Sequence, residues 1–367
     1  MADTGHTTLR VGRNPSRREW LAGCLGTLGA AMAPPGLTRS PALAPSPTPS
    51  QAPSQAQARR TIETVAGPID PAALGLVLMH EHVLVDFIGA AEVSPSRYDA
   101  DAVFTRVLPF VRQVKELGGA TLVDCTPAYL GRDARLLRRL AEASGLNILS
   151  NTGYYGANND KHLPPHAFTE TAQQLAARWI REGKDGIDGT GIKPAFMKIG
   201  VDSGPLSSVD AKLVRAAAIA HQATGLCIAV HTGDGVAARE EMDILAGAGV
   251  PLSSFIWVHA HSEADGARHL QAAARGAWVE FDGIAPTSVE RHVALVLAMR
   301  KAGRLDRVLV SHDAGWYRVG EPGGGAFRAF DTLFTAFVPA LKAAGLTDAD
   351  VRQLLVDNPR RALTPRG

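Results

Sequence analysis

The chain has 367 residues, a formal net charge of +2 and 46% hydrophobic residues. This hydrophobic content is enough for a large core, and barrels of this length commonly form a single domain. A charge so close to zero indicates neither a nucleic-acid-binding protein nor a membrane-surface protein, so we expect no nucleic-acid partner.

The first 33 residues have the features of a bacterial export signal. Arg17 and Arg18 lie in Ser16–Leu21, which is similar to a twin-arginine signal. An apolar segment follows and ends at a small-x-small cleavage candidate, 31–33. The segment is too short for a stable membrane span. We therefore expect the twin-arginine machinery to export the protein, which would be periplasmic or secreted. Residues 21–24 also match a lipoprotein cleavage box, so anchoring at Cys24 is the alternative.

Residues 34–60 are rich in Pro, Ala, Ser and Gln, a composition that predicts a disordered linker. The folded domain is therefore expected to span residues 61–367, with no second domain. Within it Cys125 and Cys227 both lie in apolar runs, which predicts buried free thiols and no disulfide. The sequence leaves open whether the domain forms a homodimer.

From residue 61 onward, short apolar runs alternate with amphipathic stretches. Eight runs predict strands: 76–79, 121–125, 148–151, 195–199, 227–230, 255–258, 278–281 and 308–310. Seven stretches between them predict helices: 102–117, 132–144, 169–181, 210–224, 236–248, 264–275 and 289–302. This alternation predicts an α/β fold with a parallel sheet, and eight units predict a (β/α)8 TIM barrel. A doubly wound sheet is the alternative.

Polar residues that can bind metals follow several of these strands. His80 and His82 are two residues apart at the end of the first strand, so both side chains are expected to face the same side. Four more such residues lie at the ends of later strands: Lys198, His231, His259 and Asp313. Each alone fits an ordinary structural residue, but barrel enzymes carry their chemistry at these strand ends. Together the six residues predict a metal site.

The sixth predicted strand offers two histidines. His259 directly follows the apolar run, so it is the expected ligand, and His261 is expected to line the substrate pocket.

The motifs around these residues resemble those of the phosphotriesterase family of the amidohydrolase superfamily. The resemblance covers about residues 61–365, and its motifs are 79–82 (MHEH), 131–133 (GRD), 151–155 (NTGYY), 197–200 (MKIG), 230–232 (VHT), 258–259 (VH), 311–313 (SHD) and 358–360 (NPR).

The resemblance implies a binuclear centre with two divalent metal ions. By it, His80, His82 and Asp313 bind the more buried metal, His231 and His259 bind the more exposed metal, and Lys198 bridges both as a carbamate formed with CO2. Mixed nitrogen and oxygen ligation favours zinc, with manganese, cobalt or iron as alternatives.

The resemblance also implies that the metals share a hydroxide nucleophile, with Asp313 accepting its proton, and that Tyr155 faces the centre. The chain departs from the family after the seventh strand. Asp282 is followed by Gly283, where the family often has a histidine or an arginine. This departure leaves the substrate open and predicts that substrates with good leaving groups react best.

The sequence therefore favours a metal-dependent hydrolase of the aryldialkylphosphatase type, acting on small phosphotriesters. A lactonase or carboxylesterase with the same centre is the alternative. A third interpretation, an exported binding protein without catalytic activity, is disfavoured because all six ligands are present.

Overall fold

A computed structural model of the chain describes residues 60–366. The predicted export signal, Cys24 and all of the predicted linker except Arg60 lie outside the described residues. The described part opens with an antiparallel hairpin that the sequence did not predict, formed by β1 (Ile62–Thr64) and β2 (Gly67–Ile69). Ile62 of this hairpin is fully buried, and it packs with the side chains that fill the inside of the main sheet.

Ten further strands are all paired in parallel. They are β3 (Val77–Val85), β4 (Thr121–Asp124), β5 (Asn147–Leu149), β6 (Asn151–Thr152), β7 (Phe196–Val201), β8 (Ile228–Thr232), β9 (Phe255–Val258), β10 (Trp278–Phe281), β11 (Val308–Val310) and β12 (Ala314–Arg318). Their order is β12-β3-β4-β5 in one sheet and β6-β7-β8-β9-β10-β11 in the other. Only Ser150 separates β5 from β6, and three residues separate β11 from β12. This parallel α/β arrangement is consistent with a TIM barrel.

Helices follow the strands as the alternation predicts. They are α1 (Ala100–Glu116), α2 (Ala134–Ser144), α3 (Pro165–Thr169), α4 (Ala172–Asp185), α5 (Ser208–Thr224), α6 (Gly235–Gly247), α7 (Gly266–Ala274), α8 (Val289–Lys301), α9 (Val338–Ala343), α10 (Asp348–Arg352) and α11 (Asn358–Leu363). Two π-helical turns, Leu333–Phe337 and Gln353–Asp357, precede α9 and α11. None of the helices within residues 60–366 is long and apolar enough to cross a bilayer.

The third predicted helix is interrupted near its start. Residues 169–181 were expected to form one helix, but α3 ends at Thr169 and α4 begins at Ala172. Thr171 is extended and caps α4, since its hydroxyl accepts from the Gln174 amide while the Gln174 side chain accepts from the Thr171 amide. This capping box begins a new helix and prevents a continuous one.

Strand side chains alternate between the inside of the sheet and the helices. On β7, Phe196 packs in the interior cluster and Met197 in the cluster beneath the helices, so Lys198 faces the interior. On β8, Ala229 is interior, which directs His231 inward at the end of the strand. Lys198 and His231 therefore both point to the interior face of the sheet, away from the helices.

The first strand contains an irregularity on which the site depends. Val77 and Met79 face the interior, so strict alternation would direct His80 and His82 towards the helices. A β-bulge between Leu78 and Glu81 shifts the register against β4. The extra residue reverses the alternation, and both histidines face inward.

Candidate metal centre

The six predicted ligands surround one cavity at the carboxyl ends of the strands. The cavity measures about 80 Å³, and its lining includes His80, His82, Lys198, His231, His259 and Asp313. Tyr155 lines it as well. A larger cavity of about 260 Å³, lined among others by Tyr98, Tyr129 and Arg132, contains none of these residues. The structure thus brings together side chains that are as much as 233 positions apart in the sequence, His80 and Asp313.

Three ligand atoms converge at the buried end of this cavity. The Nε2 atoms of His80 and His82 are 3.2 Å apart. The Oδ1 atom of Asp313 lies 3.2 Å from His82 Nε2 and 3.8 Å from His80 Nε2, and it has no hydrogen-bond partner. Two imidazole nitrogens and a carboxylate oxygen that face one another are a suitable donor set for a divalent cation such as zinc.

Polar side chains lie beside Nδ1 of three of the predicted histidine ligands. Asp282 is completely buried; its Oδ2 lies 2.9 Å from Nδ1 of His80, and its Oδ1 lies 2.8 Å from Nδ1 of His259. Nδ1 of His82 lies 2.7 Å from the Thr126 hydroxyl. A carboxylate beside Nδ1 favours a proton on that nitrogen and leaves the Nε2 lone pair for a metal.

Burial and charge set the protonation of the ligands. Burial alone would lower the pKa of His80, but Asp282 outweighs it and raises the pKa to about 10, so metal binding at Nε2 competes with a proton. Burial lowers the pKa of His82 to about 4, and it lowers the pKa of His231 well below the usual range. Burial alone would raise the pKa of Asp313, but the nearby imidazoles, with His82 at 3.2 Å, outweigh it and lower that pKa. Asp313 is therefore anionic at neutral pH.

His231 and His259 form the other side of the cavity. Their ring centroids are 4.5 Å apart, and the Tyr155 hydroxyl lies 3.2 Å from each ring nitrogen of His231. His259 follows β9 with φ of +62°, a left-handed conformation that ends the strand alternation and turns this side chain inward. Such a conformation is uncommon for residues other than glycine and is concentrated at functional sites.

The side chain of Lys198 forms no ion pair with a carboxylate among the residues that the structure describes. The residue is only 2% exposed, and among residues 60–366 no carboxylate lies within ion-pair distance of its Nζ. Its Nζ lies 5.6 Å from the centre of the Tyr155 ring. An ammonium group buried without a counter-ion is costly, so the site requires either a negative partner or a chemical change of the lysine.

His261 does not line the cavity. Its Nδ1 lies 3.0 Å from Asp282 Oδ1, and its ring packs over Gly283 and 5.2 Å from the ring of His292. A β-carbon at position 283 would lie 2.8 Å from Cε1 and 2.9 Å from Cδ2 of His261. Gly283 does not have a positive φ, so this close approach is the physical reason for a glycine.

We expect Gly283→Ala to destabilise the fold by roughly 1–3 kcal/mol, because its methyl group overpacks the His261 ring. Truncation of that ring in His261→Ala should remove most of this penalty, so the double variant should lose less stability than the sum of the single variants. Urea unfolding of the four proteins measures the coupling. Gly247→Ala is the control, since a β-carbon there meets nothing within 4 Å. Additive losses would show that His261 is not the obstacle.

Sequence reasoning did not identify the residues that support the ligands. No local pattern marks Asp282 and Thr126 as partners of the histidines, or Glu81 as the acceptor for Ser311 and Ala314 on either side of Asp313. One signal was available: Asp282 follows β10 immediately, as the predicted ligands follow their own strands.

Comparison with known proteins places the chain among hydrolases. The family model described as "Phosphotriesterase family" matches residues 60–363. The "Phosphotriesterase homology protein" of Escherichia coli (strain K12) is 31% identical over 289 residues, covering 78% of this chain and 96% of that protein. The "Aryldialkylphosphatase" of Saccharolobus solfataricus is 26% identical, covering 80% of this chain and 96% of that protein.

Solved structures agree with the sequence comparison. The "Organophosphorus Hydrolase from Deinococcus radiodurans" superposes with a TM-score of 0.74 at 28% identity, covering 86% of this chain and 100% of that one. This family consists of hydrolytic, binuclear metal enzymes, and the described residues contain histidine and aspartate groups able to bind metal. The chain belongs to the phosphotriesterase family and is a hydrolytic enzyme.

Proposed function

We propose that this enzyme is a binuclear metal-dependent hydrolase of neutral phosphotriesters, of the aryldialkylphosphatase type. The observation that carries the proposal is the convergence of four histidines, Lys198 and Asp313 on one cavity. His80, His82 and Asp313 would hold one divalent ion, and His231 and His259 the other. Zinc suits this nitrogen and oxygen set best, with manganese, cobalt or iron as alternatives.

Lys198 would join the two halves of the site as a carbamate. Its uncharged amine adds to CO2, which forms an N–C bond and releases one proton. The product is an anionic group with two donor oxygens, whereas an ammonium is a poor ligand. Burial of Lys198 without a carboxylate partner among residues 60–366 supports this change, because the carbamate removes the unpaired positive charge.

Two bound metals would lower the pKa of water enough to supply a nucleophile near neutral pH and would polarise the P=O or C=O bond of the substrate. Asp313 is anionic, and its Oδ1 is buried without a partner, so this atom is placed to accept a proton. Burial raises the pKa of Tyr155, which keeps its hydroxyl protonated as a hydrogen-bond donor beside His231.

The rest of the cavity wall is mostly apolar. It comprises Val85, Phe87, Cys125, Pro127, Leu130 and Trp316. Phe87 is 39% exposed, and its ring lies 5.5 Å from that of Trp316. An apolar wall favours a neutral substrate with hydrophobic substituents. Both phosphotriesters and lactones have this character, so a lactonase or carboxylesterase is the second candidate.

Rates on matched panels of aryl phosphotriesters and lactones, at defined zinc loading, test the proposed substrate class. We expect faster hydrolysis of the phosphotriesters, with rates that fall steeply as the leaving-group pKa rises. The physical reason is that the described cavity wall offers only Tyr155 as a neutral oxygen acid, and burial makes it a weak one.

Tyr155→Phe is the control for this series. A flat dependence in the unaltered enzyme would show that bond cleavage does not limit the rate. Faster lactone hydrolysis would favour the second candidate.

We also propose that the twin-arginine pathway delivers the enzyme to the periplasm. Arg17 and Arg18 support this location, and anchoring at Cys24 remains the alternative. Replacement of both arginines by lysine should stop export, because the signal requires the guanidinium pair and not only its charge. Cell fractionation measures the result, and Arg10→Lys with Arg13→Lys is the control of equal charge. Unchanged export of the Arg17 and Arg18 variant would contradict the proposal.

A further inference from the structure

Glu81 lies between the two histidines of β3 but serves a different part of the site. Strand alternation directs its carboxylate away from the cavity, and the residue is completely buried. The carboxylate meets residues 311–314, which comprise the link between β11 and β12, with Asp313, and the first residue of β12. The His80-Glu81-His82 tripeptide therefore supplies two predicted ligands and also binds the residues on either side of the third, Asp313.

The Glu81 carboxylate accepts hydrogen bonds from both sides of Asp313. Oε1 accepts from the Ser311 hydroxyl at 2.8 Å and from Nδ1 of His312 at 2.6 Å, with a longer bond from the His312 amide at 3.3 Å. Oε2 accepts from the Ala314 amide at 2.8 Å. The residues before and after Asp313 are thus bound to one rigid group.

The backbone at Asp313 needs such support. Asp313 has φ of +52°, a left-handed conformation that is uncommon for residues other than glycine and costs free energy. Its own amide donates to the His80 carbonyl at 2.9 Å. The surrounding hydrogen bonds must hold this conformation, because neither regular strand pairing nor a glycine is present at the position.

His312 extends the support into the following loop. Its Nε2 accepts from the Leu333 amide at 2.8 Å, so that nitrogen carries no proton and Nδ1 donates to Glu81. Leu333 begins the first π-helical turn, at the end of the loop that follows β12. Glu81 and His312 therefore connect β3, which carries His80 and His82, to the segment that carries Asp313. Through Leu333 they also connect it to the end of the loop after β12.

We propose that Glu81 is a positioning residue for the metal centre: it holds the strained Asp313 so that Oδ1 meets the Nε2 atoms of His80 and His82. The inference rests on the proposed binuclear function, but it concerns only the chain's own residues. Loss of the Glu81 carboxylate should release Asp313 and weaken metal binding even where the fold survives.

Glu81→Gln tests the inference, because it keeps the shape of the side chain and removes its charge and one acceptor oxygen. We expect the affinity for zinc, measured by competition with a chelator, to fall about 10–100-fold. The visible absorption spectrum of the cobalt-loaded protein should also change, since it reports ligand geometry. Ser311→Ala removes one bond from the same carboxylate and should show a smaller change in the same direction.

Asn358→Ala is the structural control. Asn358 is also fully buried, and its amide donates to the Leu305 and Val308 carbonyls at the opposite end of β11. Its loss should lower the melting temperature without changing zinc affinity or the cobalt spectrum.

The outcomes separate the two proposals. If the unaltered protein binds no pair of metals, the proposed function fails. If that protein binds them but Glu81→Gln keeps its affinity and its cobalt spectrum, the positioning role is refuted whatever the melting temperature shows. If Glu81→Gln does not fold, an unchanged Ser311→Ala variant refutes the role equally.

Discussion

Lys198→Ala is expected to lose most of its bound metal and its activity. The bridging carbamate is the proposed anionic group common to both metals, and without it two cations would share a site that has, among residues 60–366, a single carboxylate in its lining, Asp313. The loss should exceed the roughly 10–100-fold effect of removing an outer partner of a ligand. Metal content after gel filtration measures the loss of metal, and the hydrolysis rate of a phosphotriester measures the loss of activity.

Small carboxylates should partly restore the Lys198→Ala enzyme. Acetate or propionate can fill the space left by the side chain and supply two anionic oxygens. Acetamide is the matched control, since it has a similar size but no charge and should not restore activity. Full activity of the variant without additives would contradict the bridging role. So would a mass spectrum of the metal-loaded native protein that shows Lys198 without added CO2.

Asp282→Asn is also expected to cause a large loss, because it affects ligands in both halves of the proposed centre. This buried carboxylate lies within hydrogen-bonding distance of Nδ1 of both His80 and His259, which belong to the two halves of the proposed centre. An amide offers one acceptor oxygen where the carboxylate offers two, and its NH2 group would face an N–H group. Zinc affinity should fall by about 10–100-fold, with activity falling in parallel.

Glu280→Gln is the control for Asp282. Glu280 lies in β10, two residues before Asp282, and is also buried, but its Oε2 lies 3.8 Å from His80 Nδ1, too far for a hydrogen bond. We expect a clearly smaller loss of zinc affinity. Equal losses in the two variants would show that negative charge near His80 matters, and not the orientation of the imidazole rings by Asp282.

Much of the architecture can be predicted because it depends on local periodicity. The runs 255–258, 278–281 and 308–310 are strands with the expected bounds. The third expected strand is interrupted at Ser150, and the eighth resumes beyond Asp313 as β12. Such interruptions depend on pairing with neighbouring strands, which a single apolar run does not encode.

The support of the site could not be predicted in the same way. Glu81 and Asp282 act on partners distant in the sequence: Glu81 on residues 311–314, and Asp282 on His80 and His259. Gly283 is explained by contact with the His261 ring, and its own backbone conformation supplies no signal. These relations appear only when separate strands lie side by side.

The sequence by itself determined the order of strands and helices and the residue types available at the strand ends, because both are local properties of the chain. Only the tertiary structure decided which way those residues point. The β-bulge in β3 reverses the alternation so that His80 and His82 face inward. The left-handed backbone conformation of His259 turns its side chain into the cavity, whereas His261 is not among the residues that line it. A shift of one residue in strand register exchanges the two faces, so local sequence alone does not establish which face is internal.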